Sequence, residues 1–258
     1  MKASYITMMK SVIGTRDEQQ DSAFQKVGNE SAVAIVCDGM GGLESGKIAS
    51  LSATEKFKEL YEKKDPGEAF PSFFLKAVDI LDEFVSHLKN ADGERLGAGT
   101  TLTAVAIEND MLFWLSIGDS RLYILRGDEL VQVTRDHNYF LRLDQMLKEQ
   151  EINESKYQAE AARGEALISF IGMGGIEVMD LSNTPFQLLP NDTLLLTTDG
   201  LYKALSDEEI KQCLCITDIE EAVMTLINKA SENARKAQDN TTCVIIRYNE
   251  EVSPNETY

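Results

Sequence analysis

The sequence predicts an α+β fold in which paired antiparallel sheets have helices packed on their outer faces. Three observations favour this fold class. Short apolar runs of strand type recur along the chain, and tight turns join several of them, as is typical of antiparallel strands. Longer stretches carry apolar residues at every third or fourth position, as amphipathic helices do. The order of strands and helices also lacks the regular alternation that a parallel sheet requires.

The predicted strands are short apolar runs bounded by turn residues. Gly28-Asn29 follows the first run and Gly127-Asp128 joins two later ones, so both pairs mark tight turns. Because these connections are short, the neighbouring runs are expected to pair as antiparallel hairpins. We assign strands to residues 23–27, 32–37, 102–107, 111–117, 122–125, 130–133, 167–171, 193–197 and 242–246.

Two consecutive helices are predicted between the second and third of these runs. Residues 48–61 show the helical spacing less regularly than the helix that follows. That second helix has one continuous apolar stripe, formed by Phe70, Phe74, Ala77, Leu81, Phe84 and Leu88. Near the end of the chain, Ser206 and Glu209 have the spacing of a capping box that opens a third helix. Asp218 is placed to cap a fourth helix over residues 219–230.

A weaker helical pattern follows His137 and leads into a polar segment. Residues 148–165 are polar and aperiodic, so we interpret them as a mobile flap. The chain of 258 residues shows no linker, repeat or low-complexity stretch. We therefore expect a single domain over residues 1–248, followed by a polar tail over residues 249–258.

The charge of the chain excludes several classes of partner. There are 25 Lys and Arg residues against 43 Asp and Glu residues, which gives a net charge of −18. A protein this acidic is not expected to bind nucleic acid or anionic membranes, which attract basic surfaces. No apolar run approaches the length of a signal peptide core or a membrane span, and the four cysteines show no metal or redox spacing. We expect a cytoplasmic protein.

Four aspartates share one sequence context and are the main candidates for chemistry. Asp38, Asp119 and Asp199 each follow an apolar run and have a glycine beside them, and Asp239 precedes the last run. Carboxylates that converge at the end of a sheet repel one another unless a cation neutralises them. Oxygen ligands without histidine or cysteine suit a hard cation such as Mg²⁺ or Mn²⁺. For any one strand-end aspartate, a role in a turn or cap remains the ordinary alternative.

Two further residues have both a functional and a structural interpretation. Arg16 lies ahead of the first predicted strand, and its planar guanidinium suits phosphate oxygens, although a surface ion pair is the simpler alternative. His137 could donate a proton, but we favour a hydrogen-bonded structural role for it.

Taken together, these segments resemble the metal-dependent serine/threonine protein phosphatases, the protein phosphatase 2C or PPM family, in their bacterial form. The similar segments follow the family's order and span nearly the whole chain. They are GTRDEQQD (14–21), VCDGMGG (36–42), GAGTTL (97–102), IGDSRLYILR (117–126), VTRDH (133–137), LISFIGM (167–173), LLLTTDGLYKALSDEEI (194–210) and DNTTCVII (239–246). The resemblance implies a four-layer αββα sandwich of two antiparallel sheets flanked by helix pairs.

The resemblance also implies a centre of two Mn²⁺ or Mg²⁺ ions at one rim of the sandwich. By position in the motifs, Asp38 would bridge both ions and the carbonyl of Gly39 would bind one of them. Asp199 and Asp239 would hold the other ion. Asp119, together with Asp199, would form a weaker third metal site.

Other residues receive supporting roles from the same resemblance. Arg16 would bind the substrate phosphate, and Asp21 would support the metals through bound water. Asn240 is expected to act behind the metal ligands. Met40 stands where some family members have a histidine thought to be the general acid, so a water on the third ion near Asp119 becomes our preferred proton source.

The implied activity is hydrolysis of phosphoserine and phosphothreonine in proteins by a metal-activated water, without a phosphoenzyme intermediate. We expect phosphorylated proteins as substrates, a serine/threonine kinase as counterpart, and a monomeric enzyme. Three alternatives remain open at this point. They are a non-catalytic phosphoprotein-binding module on the same fold, an unrelated acidic cation-binding domain, and a phosphatase of small molecules.

Overall fold

The computed structural model describes residues 3–28, 30–234 and 237–250. In this part of the chain, no helix has both the length and the apolar character needed to cross a membrane. The strands are β1 (Ala3–Val12), β2 (Asp21–Val27), β3 (Ser31–Met40), β4 (Gly99–Thr100), β5 (Leu102–Glu108), β6 (Met111–Ile117), β7 (Arg121–Arg126), β8 (Glu129–Gln132), β9 (Asp180–Leu181), β10 (Phe186–Gln187), β11 (Thr193–Thr197) and β12 (Thr241–Glu250). The helices are α1 (Leu43–Glu62), α2 (Phe70–Ser86), α3 (Tyr139–Lys148), α4 (Glu154–Glu160), α5 (Asp199–Tyr202), α6 (Asp207–Leu214) and α7 (Ile219–Asn233).

The strands form two sheets. The first sheet has the order β1-β12-β11-β7-β8, and the second has the order β10-β6-β5-β3-β2, with β9 beside β6 and β4 beside β3. Every pairing between these strands is antiparallel. The α+β class with antiparallel sheets is therefore confirmed.

Alternating side chains of the central strands build the layers, because successive residues of a strand face opposite sides of its sheet. In β3, Val36 packs with Val244 of β12 in the apolar core between the two sheets. Its neighbour Ile35 packs with Phe57 of α1 in a second core, which also contains residues of α2. A third core joins the outer face of the first sheet to α6 and α7. The predicted αββα sandwich is confirmed.

The predicted helix starts near the end of the chain are also confirmed. The Ser206 hydroxyl accepts a hydrogen bond from the Glu209 amide, and the Glu209 carboxylate accepts one from the Ser206 amide. The Asp218 carboxylate accepts a hydrogen bond from the Glu221 amide at 2.8 Å. Each side chain satisfies amides that the first turn of a helix otherwise leaves without partners.

The strand predicted over residues 167–171 is wrong. This stretch forms only isolated bridges, Asn138 with Leu167 and Thr100 with Ile171. One end of the run therefore pairs with the residue that precedes α3, and the other end pairs with β4. Because neither pairing continues along the run, the run does not form a strand. Apolar content alone could not distinguish this crossing segment from a strand.

The polar, aperiodic segment over residues 148–165 contains α4 and a short 3₁₀ turn over Ala161–Arg163, neither of which was predicted. The Asn153 side chain caps α4 by accepting a hydrogen bond from the Lys156 amide at 2.9 Å. None of the residues of α4 is buried, so this helix lacks the apolar stripe that would have indicated it. The mobility of the segment stays a prediction.

The strand β1 was not predicted from the sequence, although it pairs along its whole length with β12. It is the edge of its sheet, and Ile6 and Met9 lie partly exposed, so the usual alternation of apolar and polar residues is blurred. At the other end of the chain, Asn249 and Glu250 of the expected tail belong to β12. Residues 251–258 of that tail lie outside the described part of the chain.

Candidate metal centre

The site is built where the start of β2 lies beside the end of β3. Asp21 and Asp38 are direct partners in the antiparallel register of these strands. Burial and the neighbouring carboxylates raise the pKa of Asp38 well above its ordinary value. The Asp38 backbone is fixed by two threonines, since its amide donates to the Thr101 hydroxyl at 2.9 Å and its carbonyl accepts from the Thr100 hydroxyl at 2.9 Å.

Asp21 has one satisfied and one unsatisfied carboxylate oxygen. Its Oδ2 accepts a hydrogen bond from the Thr198 hydroxyl at 2.8 Å, whereas its buried Oδ1 has no hydrogen-bond partner. Burial, reinforced by the charges of Asp199 and Asp239, raises the pKa of Asp21 to about 7. A buried carboxylate oxygen without a partner is costly, so Asp21 Oδ1 marks a place where a cation or water is needed.

Asp199 and Asp239 lie at the ends of neighbouring strands of the first sheet. Asp199 follows β11 and begins α5, and Asp239 precedes β12. Asp199 Oδ2 accepts from Lys203 Nζ at 2.8 Å, while its buried Oδ1 has no hydrogen-bond partner. Asp239 Oδ2 accepts from Arg16 Nη2 at 2.5 Å. In this structure each of these aspartates is therefore neutralised by a basic side chain of the protein itself.

Asp119 lies on the turn between β6 and β7 and is 7% exposed. Burial, followed by the charge of Asp199, raises the pKa of Asp119 to about 6. Its backbone carbonyl accepts a hydrogen bond from the Tyr202 hydroxyl at 3.0 Å. The guanidinium of Arg121 lies 3.5 Å from the centre of the Tyr202 ring, so α5 and β7 together hold this turn in place.

The five aspartates form one electrostatic cluster. The charges of Asp21, Asp119, Asp199 and Asp239 all act on Asp38 in the direction that opposes its ionisation. No three His, Cys, Asp or Glu side chains in the described ranges are arranged as a ready-made metal-ligand set. Asp199 and Asp239 each turn one carboxylate oxygen towards a basic side chain. The donor set itself, oxygen-rich and with orphaned oxygens on Asp21 and Asp199, fits hard divalent cations.

The close packing of β3 on α1 requires a residue without a side chain at position 39. A Cβ at this position would lie 2.1 Å from the carbonyl oxygen of Gly46 in α1 and 2.7 Å from that of Gln20. The Gly39 amide donates to the Gln20 carbonyl at 3.0 Å. β3 can therefore pass close to α1 only with glycine here, and this passage places the Gly39 carbonyl beside Asp38.

Asn240 ties the loop that carries Arg16 to the start of β12. Its amide nitrogen donates to the carbonyls of Ile13 at 2.8 Å and Glu18 at 2.9 Å. Its amide oxygen accepts from the Gln20 amide at 2.7 Å. The predicted phosphate ligand Arg16 is 58% exposed on this loop and contacts Asp239, so its guanidinium lies at the mouth of the cluster.

His137 has the structural position that we favoured for it. It is fully buried, and its Nδ1 accepts a hydrogen bond from the Gly118 amide at 3.2 Å. Its Nε2 lies 3.5 Å from Asp180 Oδ1. The ring thus supports the backbone of the turn that carries Asp119.

Sequence reasoning missed Thr198, Tyr202 and Lys203. Thr198 and Lys203 contact the carboxylates of Asp21 and Asp199, and Tyr202 holds the Asp119 carbonyl. The only available signal was their position beside Asp199 in the segment 194–210. A cavity of about 910 Å³, lined among others by Lys203, Asn233 and Asp239, opens on this side of the cluster.

The chain is similar to known proteins in both sequence and fold. The family profile of protein phosphatase 2C matches residues 10–240. The serine/threonine phosphatase stp of Listeria innocua is 27% identical over 228 residues, which cover 86% of this chain and 86% of that protein. The structure of the S. agalactiae serine/threonine phosphatase superposes with a TM-score of 0.82 at 26% identity, covering 96% of this chain and all of that one.

A further solved structure contains metal. It is the catalytic domain of the serine/threonine protein phosphatase PstP in complex with two manganese ions. This chain is similar to it with a TM-score of 0.73 and 25% identity, over 96% of this chain and 99% of that one.

Proposed function

The chain belongs to the protein phosphatase 2C family, and on this premise we propose that it is a serine/threonine protein phosphatase that hydrolyses phosphoserine and phosphothreonine in proteins by a metal-dependent reaction. The observation that carries the proposal is the cluster of five aspartates at one rim of the sandwich, with buried and unpartnered oxygens on Asp21 and Asp199. A protein that only bound phosphoproteins would have no need of so costly a group of buried carboxylates.

The cluster would hold two Mn²⁺ or Mg²⁺ ions. Asp38, the Gly39 carbonyl, Asp199 and Asp239 are the proposed ligands, and Asp119 is the proposed ligand of a weaker third ion. When bound, such ions supply a water of lowered pKa and offset the charge of the phosphate. The PstP structure with two manganese ions supports this choice of cofactor by family likeness.

Arg16 is proposed to bind the substrate phosphate. Its guanidinium is largely exposed, and its loop is fixed by Asn240, so it can turn from Asp239 to a phosphate group without movement of the backbone. A planar guanidinium offers two parallel donors to phosphate oxygens and stabilises the charge that spreads over them during transfer. Because Arg16 neutralises Asp239 in this structure, the bound phosphate and the ions would together replace that ion pair.

A covalent phosphoenzyme is not part of the proposal. Cys37 is the nearest thiol in sequence to the cluster, and burial raises its pKa to about 12. Such a thiol is almost entirely protonated near neutral pH, so it is a poor nucleophile. We propose direct attack by water, for which no phosphoenzyme is needed. The proton of the leaving group would come from a water near Asp119, since Met40 has no proton to donate.

The proposal is tested by phosphate release from para-nitrophenyl phosphate and from a phosphothreonine peptide, with and without Mn²⁺ or Mg²⁺. We expect metal-dependent turnover that Asp239→Asn lowers at least about a hundredfold. Asp128→Asn is the matched control, because Asp128 is 94% exposed on a distant turn, and it should retain wild-type activity. Faster turnover of the peptide would support a protein substrate over a small molecule.

Absence of turnover in a folded protein that binds Mn²⁺ would overturn the proposal in favour of a phosphoprotein-binding module. Phosphorylated proteins are the proposed partners, with a serine/threonine kinase as counterpart in signalling, and the proposed state is a cytoplasmic monomer. Elution of the purified protein at the mass of one chain checks the last of these points.

A further inference from the structure

Lys203 is shared by two carboxylates from separate parts of the fold. Its Nζ lies 2.8 Å from Asp199 Oδ2 and 3.2 Å from Glu165 Oε2. Asp199 lies one helical turn earlier, at the start of α5, whereas Glu165 follows the 3₁₀ turn after α4. Burial disfavours the charged ammonium, but the charges of Asp199, Asp119 and Glu165 outweigh it and raise the pKa of Lys203, so the cation persists.

Glu165 belongs to a small unit that packs on α3, here named the α4 segment (residues 153–166). Tyr157 donates a hydrogen bond to Asp144 at 2.8 Å, and its ring lies 6.4 Å from that of Phe140. The backbone of Gly164 accepts from the Phe140 amide at 2.9 Å. No residue of α4 itself is buried, and Gly164 and Tyr157 pack on Phe140. The ion pair of Glu165 with Lys203, whose side chains are 71% and 42% exposed, adds a modest contribution to the docking of this unit.

We propose that Lys203 couples metal binding at Asp199 to the docking of the α4 segment. The inference rests on the proposed function, since it takes Asp199 as a metal ligand. Without metal, the ammonium neutralises Asp199 and competes with a divalent ion for the same carboxylate. A bound ion offsets the charge of Asp199 and repels Lys203, which leaves Glu165 as its carboxylate partner. Metal binding therefore strengthens the contact that holds the α4 segment against α5. Lys203 acts here as a positioning residue.

Two opposite effects on metal affinity follow from this arrangement. Lys203→Gln removes the competing cation, so we expect the affinity for Mn²⁺ to rise about three- to tenfold. Glu165→Gln removes the partner that Lys203 needs once metal is bound, so the affinity should fall about two- to threefold. In the Lys203→Gln background, Glu165→Gln should have almost no effect, because both changes act through the same contact.

The experiment is titration of the metal-free protein with MnCl₂ by calorimetry, for the wild type, both single variants and the double variant. Lys203→Arg keeps the cation and should retain the dependence on Glu165. Lys211→Gln is the matched control, because Lys211 pairs with Asp128 and Glu208 at a surface away from the cluster, and it should bind Mn²⁺ as the wild type does. Hydrogen exchange of the α4 segment is measured with and without Mn²⁺, and the metal should slow exchange in the wild type but not in Lys203→Gln.

The outcomes separate this inference from the proposed function. A wild-type protein that binds no Mn²⁺ would overturn both. A wild-type protein that binds Mn²⁺ would leave the proposed function standing, and the inference would then fail on either of two results. One is an equal effect of Glu165→Gln in both backgrounds, which is what general electrostatics alone would give. The other is an unchanged or lower affinity in Lys203→Gln.

Discussion

At the scale of single residues, the close passage of β3 over α1 depends on Gly39. Replacing Gly39 with alanine should lower the free energy of unfolding by about 3 kcal/mol, because its Cβ would meet the Gly46 carbonyl oxygen at 2.1 Å and neither backbone can yield cheaply. The same shift should displace the Gly39 carbonyl and weaken Mn²⁺ binding. Urea denaturation and calorimetry measure the two effects.

Gly42→Ala is the matched control for that substitution. Gly42 lies three residues later, at the N-cap of α1, but a Cβ there would meet nothing within 4 Å, and its φ of −65° suits any residue. Its stability should change by less than about 1 kcal/mol. If both variants lost the same stability, the close contact with α1 would not be the reason why glycine stands at position 39.

Local sequence patterns could predict some residues of the site but not others. Asp38 and Asp199 could be predicted because each follows an apolar run and has glycine beside it, and Asp239 because it precedes the last apolar run. Lys203 could not be predicted, because its contact with Glu165 exists only after the α4 segment has packed on α3. The contact between Arg16 and Asp239 could not be predicted either, because the two residues are far apart in the chain. Hydrogen bonds of Asn240 hold the loop that carries Arg16 in place.

At the scale of elements, the sequence was most informative for strands and helices with many buried apolar residues. The assigned strand over residues 193–197 coincides with β11, whose residues are all buried. The capping box of α6 was visible because it precedes a helix with an apolar face. β1 and α4 were missed because one is an edge strand and the other has no buried residue, so hydrophobic periodicity carries little information about either.

This contrast between α6 and α4 gives a prediction about their caps. Ser206→Ala should lower the global free energy of unfolding by about 1 kcal/mol, since α6 buries Ile210, Cys213 and Leu214 in the core. Asn153→Ala removes an equivalent cap from α4, yet it should leave the global value unchanged and only speed hydrogen exchange within residues 154–160. Chemical denaturation measures the global free energy of unfolding, and hydrogen-exchange mass spectrometry measures the local exchange rates. A global loss for Asn153→Ala would show that α4 contributes to the cooperative core.

At the scale of the whole molecule, the ends of strands from both sheets bring five aspartates into one cluster. The net charge of −18 adds to the repulsion inside the aspartate cluster. The pKa values of Asp21 and Asp119 are raised to about 7 and about 6 by burial and by neighbouring charge. In the metal-free protein, the fold therefore binds more protons near pH 6 than the unfolded chain does.

This difference in bound protons decides whether the free energy of unfolding rises or falls with pH. Where the folded state binds more protons, stability falls as pH rises, from the ordinary carboxyl range up to the raised pKa values. The metal-free protein should thus be more stable at pH 6 than at pH 8, by about 2 kcal/mol. Saturating Mn²⁺ should reverse the trend, because protons compete with the ion for the carboxylates. Urea unfolding at both pH values, with chelator or with Mn²⁺, measures these free energies. Asp21→Asn should reduce the difference between pH 6 and pH 8 in the metal-free protein. A metal-free protein that gained stability towards pH 8 would contradict the placement of these carboxylates in one buried cluster.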